Sequence, residues 1–257
     1  ELARFAHAGI SDEVPYGIVW QGARYEGLVT VFLEVLGAFG GEILAEDGRV
    51  AVASPAGVRA LELLRGQIGK IAPPEVLTWH EEETRFAFQN GNAVFLRNWP
   101  YAWPLLNERE KSKVAGRFAV ALMPAAPGGR PSAALGGAQL AINAHSRRPE
   151  LAWRLIAFLT APDQMLERAQ VAGQYPPRRS LWEDPRLAEA LGVPLQDVRR
   201  ILESATPRPV TPVYSELSET LQIHLHRALS GQAAPEEALR MAARQMEEIL
   251  EAAELAQ

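Results

Sequence analysis

The strongest constraint on the fold is a change of rhythm partway along the chain. Up to about residue 142, short apolar runs that read as strands alternate with helical stretches, and beyond it only helical patterns follow. Such alternation followed by helices predicts an α/β or α+β architecture. Strands are expected at Tyr16–Trp20, Ala93–Leu96, Phe118–Met123 and Leu135–Ile142, with the last carrying Gly136-Gly137. At 257 residues the chain is long enough for one large domain or two smaller lobes, and length alone does not choose.

The helical segments are punctuated clearly. Leu28, Phe32, Val35, Leu36 and Phe39 recur at helical spacing from about Tyr25 until Gly40-Gly41 stops them. Ile43-Leu44 and Val50–Val52 flank Glu46-Asp47-Gly48, a hairpin signal because Asp-Gly tolerates positive φ. Ser54-Pro55 supplies an N-cap and first helical residue for a helix ending near Gly69. A helix over Glu81–Phe88 ends at Asn90-Gly91, and Asn98-Trp99-Pro100-Tyr101 then forms an irregular aromatic loop. Further on, Ala152–Leu159 is strongly apolar, and Thr160-Ala161-Pro162-Asp163 has capping-box spacing for a helix ending at Gly173. Asp184-Pro185, Pro194 and Pro235 open later helices, and Leu217–Leu229 is amphipathic, so the last third is predicted to be wholly helical.

Composition narrows the chemistry. Net charge is −5, which gives no broad positive field for a nucleic-acid backbone. Cysteine is absent, excluding disulfides, thiolate metal sites and cysteine nucleophiles. His80-Glu81-Glu82-Glu83-Thr84 begins like a zinc-protease helix, but threonine cannot provide the second imidazole, and a carboxylate cluster opening a helix suits its dipole. His224 and His226 stand two apart on a helix and diverge, so packing or surface roles are expected. Neither Pro127-Gly128-Gly129 nor Gly136-Gly137 continues as a nucleotide loop, and no serine sits in a hydrolase elbow. Glu26, Glu82 and Glu216 would serve a glycosidase only on the weak ground that carboxylates are plentiful. No metal and no cofactor is expected.

The aromatic residues remain. Trp99, Tyr101 and Trp103 are interleaved with Pro100 and Pro104, and two of the three can share a side of an extended backbone. The C–H face of a pyranose packs on an indole or phenol, and a tyrosine hydroxyl adds a hydrogen bond. Trp99 can equally be a core residue covering the end of the preceding strand, and Arg208, in the bend Pro207–Pro212, can be a surface ion-pair residue. The residues alone leave both alternatives open.

Several ordered blocks resemble the family-one extracellular solute-binding proteins of ABC importers, closest to those for trehalose and maltose. They are Val19-Trp20-Gln21-Gly22 with Tyr25-Glu26-Gly27-Leu28, Phe88–Ala93 leading to Asn98–Tyr101, Leu135-Gly136-Gly137, Gln139–Ile142, Tyr175–Ser180, and Arg208–Tyr214 before the final helices. The resemblance implies a periplasmic-binding-protein-like (type II) two-lobed α/β fold. It implies that this chain holds mostly the C-terminal lobe, as 1–117 and 173–257, with 118–172 belonging to the N-terminal lobe, whose first part is expected to be absent here.

By the same resemblance the protein is not an enzyme. It binds a di- or oligosaccharide outside the cytoplasm, in the periplasm or at the cell exterior, held at the membrane by its partner or a lipid anchor. It then delivers the sugar to permease subunits, works as a monomer when complete, and has no nucleic-acid partner. Trp99 is expected to stack on a sugar ring, Tyr101 to add a polar contact, the Gly136-Gly137 backbone to approach hydroxyls, and Arg208 to hydrogen-bond the ligand, with Tyr25 and Glu26 as further contacts. Relatives often carry tryptophan after the paired glycines, where this chain has Ala138, which bears on the size of the sugar. A receptor for a non-sugar solute such as glycerol phosphate or a polyamine is the alternative, and a carbohydrate-active enzyme a more distant one.

Overall fold

The computed structural model describes residues 2–9 and 13–255. Helix α1 (Leu2–Ala8) precedes strand β1 (Tyr16–Val19), and helices α2 (Glu26–Ala38) and α3 (Pro55–Gln67) follow. Between them lies the expected turn, with Leu44 bridged antiparallel to Val50 and Gly48 at φ 84°. Then come α4 (Glu81–Gln89), β2 (Ala93–Leu96), the short α5 (Ala102–Leu106) and the two-residue β3 (Ala133–Ala134). The rest comprises α6 (Pro149–Leu159), α7 (Pro162–Ala172), α8 (Pro185–Leu191), α9 (Leu195–Glu203), β4 (Ala205–Thr206), α10 (Tyr214–Leu229) and α11 (Pro235–Leu255).

The two strand pairs are both parallel. β1 lies beside β2 with Tyr16 opposite Ala93 and Val19 opposite Leu96, while β3 lies beside β4. Helix α2 is the centre of the main core. It is buried on every side except at Glu26 and Val35, as an apolar helix must be when α3, α10 and β3 all pack on it. Leu28, Phe32 and Leu36 meet Leu61 of α3, Leu217, Leu221 and Leu225 of α10, and Leu239 and Met246 of α11. A second cluster draws Met165, Leu166 and Ala169 of α7 together with Leu181, Leu187 and Leu191, and Val198 of α9. That cluster spans both sides of residue 172.

Local signals are honoured where they are self-contained. The Ser54 hydroxyl accepts from the Gly57 amide at 3.3 Å ahead of Pro55, and Asp184 accepts from the Arg186 amide at 2.9 Å. Gly173 and Gly192 close α7 and α8 in the left-handed region. The histidines pack as expected: His224 reaches Gln245 at 3.2 Å, and His226 reaches the Leu77 carbonyl at 3.1 Å.

Three expectations are corrected. Phe118–Met123 and Leu135–Ile142 are not strands; of that region only Ala133–Ala134 pairs. Val120, Leu122, Leu135 and Leu140 stand exposed, because apolar character cannot make a strand without a neighbouring ladder to satisfy its amides and carbonyls. The capping box at Thr160 does not form. Pro162 occupies the first turn of α7, so Ala161 becomes its N-cap, and the Thr160 hydroxyl donates back to the Ile156 carbonyl at 2.8 Å. Finally, the last third is not wholly helical, since β4 interrupts it to pair with β3.

Candidate functional site

β1 and β2 run side by side, so the segments leaving their C-terminal ends emerge together: Gln21–Tyr25 leads into α2, and Arg97–Tyr101 leads toward α5. The aromatic loop is pinned to the head of α4. The Asn98 side-chain amide donates to the Glu81 carbonyl at 3.0 Å, and the Trp99 amide donates to Asn98 Oδ1 at 2.8 Å.

Trp99 and Tyr101, two residues apart, then point to adjacent carboxylates. Trp99 Nε1 donates to Glu81 Oε1 at 3.2 Å, and the Tyr101 hydroxyl donates to Glu82 Oε1 at 2.7 Å. Trp99 is half-buried and touches the main core, with the Arg97 guanidinium 4.5 Å over its ring. Trp103 takes another path: its ring packs on Phe118 with centroids 4.9 Å apart and joins the second core cluster.

Electrostatics keep these groups in fixed roles. Burial first, and then Glu82, push the Tyr101 hydroxyl pKa upward, so it remains a donor. Arg85, with Nε 3.1 Å from Glu82 Oε1, and the Tyr101 hydroxyl hold the Glu82 carboxyl below the usual carboxylate value. Tyr25 lies 4.4 Å from His80, ring to ring, and its hydroxyl is buried with no hydrogen-bond partner among the described residues. Burial, followed by the neighbouring Glu81, pushes its pKa up as well.

Glu26 gathers a second group. Its carboxylate accepts from Arg208 Nη1 at 2.9 Å, from the Tyr214 hydroxyl at 2.6 Å and from the Ser218 hydroxyl. Arg208 is therefore tied across the chain to the head of α2, and Glu26 raises its pKa further.

Gly136 lies against the indole: a Cβ there would stand 2.7 Å from Trp99 Cζ3. The close approach allowed by this glycine is thus to an aromatic ring. Gly137 has nothing within 4 Å of the same position.

Of the seven candidate residues, the structure brings Trp99, Tyr101, Tyr25 and Gly136 around the head of α4, leaves Gly137 exposed beside Gly136, and joins Glu26 to Arg208 next to Tyr25. Sequence reasoning missed Glu81 and Glu82 as neighbours of the aromatic pair. They read as a helix start, and Glu82 also as one of several plentiful carboxylates, although the turn they share with the capping Glu83 is also where the aromatic loop docks. Glu83 completes that start by accepting from the His80 amide at 2.9 Å. A separate open concavity of about 340 Å³ near β3 and β4, lined by Arg130, Arg200 and Glu203, carries no aromatic ring.

A family model described as bacterial extracellular solute-binding protein matches residues 3–166. A probable ABC transporter-binding protein of Deinococcus radiodurans is 38% identical over 228 residues, covering 87% of this chain and 54% of the relative. The chain thus spans about half the length of that curated relative. A maltose-bound MalE3 structure from T. maritima superposes with TM-score 0.89 at 42% identity, over 96% of this chain and 63% of that one. A solute-binding protein of Thermotoga lettingae, solved with α-D-tagatose, gives TM-score 0.80 at 28% identity over 93% of this chain and 60% of that one. These likenesses identify the architecture as part of the type II periplasmic-binding-protein-like fold. Family match and relatives agree, and the chain belongs to the bacterial extracellular solute-binding proteins, a family of binding proteins rather than enzymes.

Proposed function

We propose that this chain is part of a receptor that captures a neutral di- or oligosaccharide outside the cytoplasm and presents it to the permease of an ABC importer. The observation that carries the reading is the pairing of two aromatic rings with two carboxylates at the head of α4. An indole and a phenol offer apolar faces for C–H groups, while Glu81 and Glu82 offer acceptors for hydroxyls.

Charge favours a neutral polyhydroxy ligand over an anion. Arg97 is paired with Glu34, Arg208 with Glu26 and Arg85 with Glu82, whereas Glu81 has no ion-pair partner among the described residues. A phosphate or carboxylate brought here would meet an uncompensated negative charge. Maltose in the T. maritima structure and tagatose in the T. lettingae structure fit this direction.

The exposed apolar surface supports a lobe arrangement. Leu151, Trp153, Leu155 and Phe158 of α6 are all exposed, and so are the flanking residues Leu135, Leu140 and Ile142. Isolated apolar residues are common at a surface, but a contiguous stretch marks an interface. We place the lobe built on α2, α3, α10 and α11 as the C-terminal one, and 118–172 in the other. The second core cluster suggests that α8 and α9 travel with α7.

Titrating the full-length protein with maltose, trehalose and sucrose, and with glycerol phosphate and a polyamine as contrasts, tests the reading through tryptophan fluorescence. Saturable binding of at least one sugar is expected, and Trp99→Ala is expected to weaken it at least tenfold while the protein stays folded. Binding of the anion or the polyamine with silence toward every sugar would refute it.

A further inference from the structure

The ion pair beneath the aromatic loop sits in a buried hydrogen-bond network that reaches two other parts of the candidate site. Arg97 and Glu34 are each 5% exposed, and both guanidinium contacts to the carboxylate are short, Nε to Oε2 at 2.8 Å and Nη2 to Oε1 at 2.7 Å. Nη1 donates to Gln21 Oε1 at 2.9 Å and Nη2 also reaches Thr30 Oγ1 at 3.3 Å. Gln21 is held in turn by Thr84 at 2.7 Å and by the Arg97 carbonyl at 3.0 Å. Four of the five guanidinium donors are thereby engaged, so the plane of the group is fixed.

Two contacts lead out of this network. The guanidinium carbon lies over the indole of Trp99, 4.5 Å from the ring centroid. On the other side, Glu34 Oε1 accepts from the backbone amide of Ala134 at 3.1 Å, in β3. Two residues beyond Ala134, the backbone of Gly136 returns to the same indole ring. The path therefore closes: Trp99, Arg97, Glu34, Ala134, Gly136 and Trp99 again.

We infer that Glu34 and Arg97 are positioning residues that lock the Trp99 ring to the segment 133–137, so that the ligand-facing ring and this segment keep one relative placement. The idea rests on the proposed carbohydrate reading for its consequence, ligand affinity, and on the contacts alone for its geometry. Burial alone asks that these groups be hydrogen-bonded, and it does not ask that the guanidinium lie over an aromatic ring. A buried ion pair adds little net stability compared with apolar replacements, so net stability alone does not account for the arrangement.

The test uses the full-length protein and the double variant Glu34→Gln/Arg97→Met, which removes both charges together and keeps an acceptor for the Ala134 amide. The Trp99 contribution to emission is isolated by subtracting the spectrum of a matched Trp99→Phe protein, first without ligand and then during titration with maltose. The double variant is expected to unfold cooperatively, to show a changed Trp99 emission without ligand, and to bind the sugar at least tenfold more weakly. If it does not fold, Arg97→Lys, which keeps the charge but loses the forked contacts to Glu34 and Gln21, is expected to show the same emission change. An unaltered Trp99 emission in a folded variant overturns the inference, whatever happens to affinity. Should the parent bind no sugar, the carbohydrate reading fails while the ligand-free emission still decides the positioning role.

Discussion

Replacing Gly136 with alanine probes the close approach of this glycine to the Trp99 ring. The glycine has no positive φ, so alanine is conformationally acceptable and only its methyl group matters. That methyl would stand 2.7 Å from Cζ3 of Trp99, and reaching the 3.4 Å of ordinary contact requires the ring edge to recede by about 0.7 Å. Arg97 over the ring and Glu81 at Nε1 keep the ring from sliding, so the contact is relieved by a tilt of the ring or a shift of the exposed segment that carries Gly136. A gap of roughly 0.5–1 Å forfeits about a quarter to a half of a dispersion contact. Applied to aromatic stacking of about 1–3 kcal/mol per ring, that is a loss of ~0.3–1.5 kcal/mol. The dissociation constant of the best carbohydrate ligand should rise roughly 1.5- to 12-fold at about 1.4 kcal/mol per tenfold. Calorimetric titration measures this directly, and a shift in Trp99 emission should accompany it. Gly137→Ala is the control, since its methyl meets nothing within 4 Å, and it should leave the ligand-free emission unchanged. The reasoning fails if Gly136→Ala keeps both parental affinity and emission, or if the two variants disturb the Trp99 emission equally.

Two further outcomes are expected. Arg85 and Tyr101 depress the Glu82 pKa below the ordinary 4.5, so its stabilising contribution is complete above that value and is lost as pH falls through the depressed folded value. Melting scans from pH 7 to pH 3 should therefore show the gap between parent and Glu82→Gln narrowing below about pH 4.5, and a constant gap at every pH would contradict the assignment. Trp153 is 61% exposed on α6, and if the remainder of the receptor covers that face, iodide should quench it weakly in the full-length protein. The Stern–Volmer slope of full-length Trp153→Phe is then expected to be no shallower than that of the parent, and a markedly shallower slope for the variant would place this face in solvent.

The helices and their ends were legible because their causes are local. Ser54 caps α3 through an amide three residues away, Gly173 turns left-handed at the end of α7, and the apolar stripe of α2 needs only its own spacing. Phe118–Met123 and Leu135–Ile142 were misread because apolar runs state a wish for burial without naming the neighbour that would supply it. Glu34 and Arg97 were invisible for a related reason. They stand 63 residues apart, and no local pattern marks a charged residue as buried or says which distant partner neutralises it. Trp99 was left between a core role and a ligand-facing one, and the structure shows a half-buried ring that touches the core and is hydrogen-bonded to Glu81.

The carboxylates at the head of α4 show why the structural and functional accounts of a residue need not compete. Glu81, Glu82 and Glu83 occupy the first turn, where unpaired amides and the helix dipole favour negative charge. That account is sufficient for the fold. The parallel pairing of β1 with β2, however, sends Arg97–Tyr101 past the same helix end, so the acidic turn that stabilises α4 also faces the aromatic rings. Neutral substitution at Glu81 would remove a modest dipole interaction of about 0.3–1 kcal/mol from the helix and, independently, a charged acceptor from Trp99. Stability and ligand affinity should then fall by unrelated amounts, as they must when one side chain serves two neighbours.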